Sequence, residues 1–127
     1  MALKAISRVV AEMPRDLRAS LFVVLHISRG RSLLPEILTR AGRLPAAHPT
    51  DNEPLQYGRI YIAPPDNHMI ISEGRVRVVR TASENGLRPA LDPLFRSAAR
   101  CYGARVIAVC DLDTNRAELG RQFVSSA

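Results

Sequence analysis

The sequence predicts an α/β fold: a partial doubly wound, mostly parallel sheet flanked by helices, with a small antiparallel hairpin segment. Three observations predict it. Residues 20–25 and 105–109 are short apolar runs with the length and β-branching of strands buried on both faces. Amphipathic helical patterns precede and follow them, the order expected of a parallel sheet. Residues 59–80 read instead as short strands joined by tight turns, placed at an edge or as an insertion. With 127 residues, the whole chain, 1–127, is read as one domain.

Each element has its own reason. Leu3, Ile6, Val10 and Met13 recur at spacings of three and four, so residues 2–13 form a helix with one apolar face. Pro14 stops it. The strand at 20–25 ends on His26, and a loop with Gly30 follows. Ser32 stands as the cap of a second helix, with Pro35 and Glu36 in its first turn and Leu33, Leu34, Ile37 and Leu38 on its apolar face. Gly42 ends that helix, and 44–48 is a short strand. Residues 49–58 are polar and turn-rich. Strands at 59–63, 68–72 and 75–80 are separated by Pro64-Pro65-Asp66-Asn67 and by Glu73-Gly74. Asp92 as N-cap and Pro93 at the first helical position open a third helix, carried on by Leu94, Phe95, Ala98 and Cys101 and closed by Gly103. After the strand at 105–109, residues 115–124 form a weak terminal helix.

Composition narrows the function classes. Hydrophobic residues at 46% and charged residues at 24% exclude a disordered chain, and two cysteines make no disulfide framework. No apolar run approaches the roughly 18 residues that span a bilayer, so no membrane insertion is expected. No signal peptide opens the chain, and a reduced, cytoplasmic setting is expected. The net charge of +6 is carried almost wholly by arginine. Arginines spread along the chain solvate its outer faces; the alternative is a non-catalytic basic module that binds an acidic protein or nucleic acid. Aromatic residues at 5%, with no Trp, make nucleic acid the weaker choice of partner. Arg75 and Arg77 share a strand face with Arg80 nearby, either as a phosphate- or acid-binding strip or as charge protecting an edge strand.

Ligand sites in open α/β sheets lie at the carboxyl ends of the strands. His26 stands at one such end, and Asp111 and Asp113 follow another. An imidazole that takes a proton from a nucleophile and a carboxylate that orients it are two-thirds of a hydrolytic triad. A histidine at a strand end is more often a capping or packing residue, and aspartates after a strand are common as helix caps. His48 and His68 make no metal-ligand spacing with His26 or with Cys101 and Cys110. Ser28 and Ser32, the hydroxyls nearest His26 in sequence, lie on no strand-to-helix elbow.

Val23-Val24-Leu25-His26-Ile27-Ser28 is similar to the strand and histidine of CheB-type chemotaxis protein-glutamate methylesterases. The resemblance continues through Leu33-Leu34-Pro35-Glu36-Ile37-Leu38 and Arg40-Ala41-Gly42. It is strongest at Gly58-Arg59-Ile60-Tyr61-Ile62-Ala63-Pro64-Pro65-Asp66-Asn67-His68-Met69, and it persists through Glu84-Asn85 and from Arg88-Pro89 to Ala98-Ala99. It covers residues 3–109. It implies a doubly wound domain with a serine, histidine, aspartate triad that hydrolyses glutamate methyl esters on the cytoplasmic helices of chemoreceptors. Deamidation of receptor glutamines is also implied, with no metal or organic cofactor. His26 takes the place of the catalytic base.

The departures shape the expectation. The family's nucleophile lies in a Gly-x-Ser-x-Gly-Gly loop before the first helix, and this sequence opens on that helix. One alignment sets Leu112-Asp113-Thr114-Asn115 against the family's Leu-Asp-Asp-Gly, which puts Thr114 at the acid's place with Asp113 beside it as the candidate acid. Gly86-Leu87 replaces a basic, polar pair. The expectation is a domain truncated at both ends and catalytically incomplete, which is marginal alone or self-associates through an open sheet.

Overall fold

The computed structural model describes residues 2–25, 33–82 and 88–106. The elements run α1 (Ala2–Ala11), β1 (Ser20–Val23), α2 (Leu34–Ala41), β2 (Ala46–Ala47), β3 (Glu53–Pro54), β4 (Arg59–Ile62), β5 (His68–Ser72), β6 (Arg75–Val79) and α3 (Leu91–Tyr102), followed by a 3-10 turn over Gly103–Arg105. The strand expected at 105–109 lies mostly outside the described residues, and the helix expected at 115–124 does so entirely. Two sheets form. A parallel one has the order β1-β4-β2, and an antiparallel one has the order β3-β6-β5.

β4, the middle strand of the parallel sheet, is buried on both faces, and the alternation of side chains along β4 and β1 divides the interior in two. Ile60 and Ile62 of β4, with Leu21 and Val23 of β1, face α1 and α2; they pack with Val10, Leu34, Leu38 and Leu44. Tyr61 and Ala63, with Phe22 and Val24, face the other way and pack with Met69 and Ile71 of β5, Val76 of β6 and Leu94 of α3. Phe22 and Tyr61 are cross-strand partners whose rings stack at 5.3 Å. The Tyr61 hydroxyl accepts the Gln56 N–H at 2.8 Å and donates to the Pro54 carbonyl at 3.3 Å, satisfying its polar end inside the molecule.

The segment expected as a hairpin is divided: β4 becomes the middle strand of the parallel sheet, while β5 and β6 join β3 in a separate antiparallel sheet. Glu53 and Pro54 pair with Val76 and Arg75, inside the stretch read as turns. Both internal helix starts also differ from expectation. Leu33, not Ser32, is the N-cap residue of α2, and Ala90, not Asp92, is that of α3; neither side chain makes a capping bond. Pro35 and Pro93 stay within the first turn, where the missing N–H breaks no helical hydrogen bond.

Candidate functional site

The parallel register brings three strand ends to one edge. Val23 lies opposite Ile62, and the Ala63 N–H extends the pairing by donating to the Val23 carbonyl at 2.9 Å. From this edge β1 continues through Val24 and Leu25 to His26, β4 continues through Ala63 into the turn at 64–67, and β2 is followed by His48. The two residues nominated from the sequence, His26 and Asp113, lie outside the described residues, as do Ser28, Ser32 and Asp111. The edge from which His26 follows in sequence is in place.

His48 Nδ1 lies 2.9 Å from the Ile62 carbonyl oxygen. A carbonyl only accepts, so Nδ1 carries a proton and donates it to this bond. The ring's Nε2 is buried without a hydrogen-bond partner among the described residues. No group of three or more His, Cys, Asp or Glu side chains gathers as a metal cage among the described residues.

His68 is almost completely buried, at 1% exposure. Its Nε2 donates to the Ala82 carbonyl at 2.9 Å, and its Nδ1 accepts the Ala90 N–H at 3.2 Å. Two residues earlier, Asp66 accepts from Arg80 at 2.8 Å and from Arg88 at 2.8 Å. Sequence reasoning placed Asp66 only in a turn and gave His68 no role. The available signal was a short polar turn directly after a buried parallel strand, at the edge where such folds work.

The remaining arginines singled out from the sequence are engaged. Arg77 Nε donates to Asp51 at 2.7 Å, and Arg75 donates to the Asn52 carbonyl at 2.8 Å. Hydrogen bonds from the Arg77 guanidinium and the Val78 amide hold the Asp51 carboxyl below the usual carboxylate range. These contacts engage Arg75 and Arg77 and leave no open anion-binding strip, but β6 is the middle strand of its sheet, so the edge-strand reading does not hold either. No helix among the described residues is long and apolar enough to cross a membrane.

Comparison with known proteins agrees with this architecture. The protein-glutamate methylesterase/protein-glutamine glutaminase 4 of Myxococcus xanthus is 43% identical over 107 residues, covering 83% of this chain and 30% of that protein. The corresponding protein 1 of Rhodospirillum rubrum is 42% identical over 82 residues, covering 61% of this chain and 21% of its own length. The chain therefore spans less than a third of these curated relatives. The crystal structure of the Thermotoga maritima CheB methylesterase catalytic domain superimposes with a TM-score of 0.75 at 22% identity, over 94% of this chain and 68% of that one, which establishes the shared fold. Residues 2–110 match the CheB methylesterase family's sequence profile, and on that match the chain belongs to the CheB methylesterase family.

Proposed function

We propose that the chain carries the base side of a cytoplasmic protein-glutamate methylesterase domain acting on chemoreceptor helices. The reaction is hydrolysis of a glutamyl methyl ester, with water adding to the acyl group and methanol leaving; glutamine deamidation is the parallel reaction with ammonia leaving. The observation that carries the reading is the family match over residues 2–110, which includes His26. His26 takes the proton of the attacking hydroxyl and returns it to the leaving methoxide, and Asp113 is the candidate that orients it. The 127 residues contain no Gly-x-Ser-x-Gly sequence. By themselves they therefore supply the base and the parallel edge but not the family's activated serine. The basic-module alternative gains no support from Arg77, Arg80 and Arg88, which are held by Asp51 and Asp66.

The test is methanol release from a methylated chemoreceptor fragment by the purified 127-residue chain and by His26→Ala, together with capture of the fragment by the same samples. The expected result is capture without release. Release that disappears in His26→Ala would show that a nucleophile lies within these residues, overturning the incompleteness but keeping the esterase. A folded chain that neither releases methanol nor captures the fragment would remove the reading.

A further inference from the structure

One short turn holds both ends of the segment that joins β6 to α3. The turn spans residues 64–67, leaves the carboxyl end of β4 and delivers His68 to β5. Asp66 accepts from Arg80 on one side of the segment, with Nη2 to Oδ2 at 2.8 Å. On the other side it accepts from Arg88, with Nη2 and Nε at 2.8 and 2.9 Å from Oδ1. Arg88 Nη1 also donates across the segment to the Thr81 carbonyl at 3.1 Å. His68 repeats the pattern on the backbone, bonding Ala82 before the segment and Ala90 after it.

The chemistry of these contacts is restrictive. The Ala82 carbonyl can only accept and the Ala90 N–H can only donate, so the buried ring must carry its proton on Nε2 and a lone pair on Nδ1. The other tautomer would leave a buried donor facing a donor and a buried acceptor facing an acceptor. Asp66 sits at φ 62°, a left-handed conformation that Asp tolerates better than most residues, so the carboxylate and the turn are fixed together. The Arg88 and Asp66 side chains are only 22% and 28% exposed, which screens this ion pair less than a surface one.

We propose that Asp66 and His68 are positioning residues that clamp both stems of segment 81–90 to the carboxyl end of β4, fixing Arg88 and the start of α3 beside the site edge. The clamp is a property of the fold; its use in positioning a partner rests on the methylesterase reading. A residue that merely fills the core supports the whole molecule when present and weakens all of it when removed. A clamp acts locally and, through Asp66, in a salt-dependent way.

The test uses the full 127-residue chain with Asp66→Asn, which keeps the shape and removes the charge. The exposed Arg80→Gln, which opens one stem, is the second variant should Asp66→Asn not fold. Amide hydrogen exchange, thermal melting and the nitrogen spectrum of the His68 imidazole are read on each. The wild-type ring is expected to show the Nε2–H tautomer. Either variant is expected to speed exchange at Ala90, whose N–H His68 accepts, by about tenfold while both sheets exchange as before. Salt at about 1 M should speed exchange of the same amide in the wild type and add nothing in Asp66→Asn. An Nδ1–H ring, unchanged exchange at that amide, or a uniform rise across both sheets overturns the proposal. Capture of the methylated receptor fragment separates the two readings. A clamped wild type that captures none removes the methylesterase reading and leaves the clamp standing; equal capture by a loosened variant overturns the positioning role.

Discussion

Gly42 follows α2 at the point where α1 comes closest. A Cβ there would lie 2.5 Å from the Val10 carbonyl oxygen and 3.0 Å from its Cγ1. Backbone cannot yield as a flexible side chain does, so Gly42→Ala is expected to destabilise the chain by about 1–3 kcal/mol, read as a lower midpoint in urea at unchanged slope. The sequence marks Gly42 as a helix end, and so it is; the contact with α1 that requires it is tertiary and has no local signature. The caps failed for a related reason. Ser32 and Asp92 are good capping types, yet packing of Leu34 and Leu94 sets where the helices begin, and propensity yields to burial. Asp51 supplies a pH prediction at the same scale. Its carboxyl is held low by the Arg77 side chain first and the Val78 amide second. A depressed folded value means that the contact stabilises above the ordinary carboxylate pKa and that this gain is lost as pH falls through the folded one. The stability difference between wild type and Asp51→Asn should be present at pH 7 and shrink away below about pH 4. A difference that persists in acid would show that the charge contributes nothing. Both side chains are well exposed, so the effect is small.

At the scale of elements, β1 was the readable part, whereas β4 was legible as a strand but not as the middle of the parallel sheet. A continuous apolar run between polar segments means burial on both faces, and the two cores divide along the alternation of β1 and β4. What could not be read was β3: a two-residue strand containing Pro54 has neither periodicity nor β-branching, and it exists because β6 offers it an edge. The opposite side of that sheet shows how a helix covers an edge. The Ile71 N–H donates to Ser97 Oγ at 2.8 Å, Ser97 donates on to the Leu94 carbonyl at 2.9 Å, and Cys101 Sγ lies 3.7 Å from the Ile71 carbonyl. Two side chains of α3 thus take the place of a neighbouring strand for Ile71. Ser97→Ala leaves the Ile71 N–H without its acceptor beside a packed core, an expected cost of about 1–3 kcal/mol by chemical denaturation. Exchange of the Ile71 amide should rise more than that of its neighbours in β5. Equal protection in the variant would show that another group takes over the bond.

For the whole molecule, the two sheets differ in how their edges end. The antiparallel sheet is closed by α3 along β5, whereas among the described residues β1 and β2 pair with β4 alone. An unpaired parallel edge presents a row of backbone donors and acceptors, and β1 also carries the half-buried Leu21 and Phe22. The clamp at the β4–β5 turn and the edge cover on β5 lie on the other side of the Tyr61 and Phe22 layer, so they secure the antiparallel half, while among the described residues nothing pairs with the outer edge of β1. The isolated 127-residue chain is therefore expected to associate with itself through β1. Sedimentation over a hundredfold concentration range, of about 1 to 100 μM, should show the mean mass rising above the monomer. Replacing Phe22 by Lys would put a charge into the packed face and confuse folding with association. Ser20→Pro at the first residue of β1 is the cleaner variant, because it removes one edge donor and leaves the core side chains alone. Its expected effect is a shift toward monomer with the melting transition retained. A wild-type chain that stays monomeric throughout, with a cooperative melt, would mean that residues outside those described already cover β1.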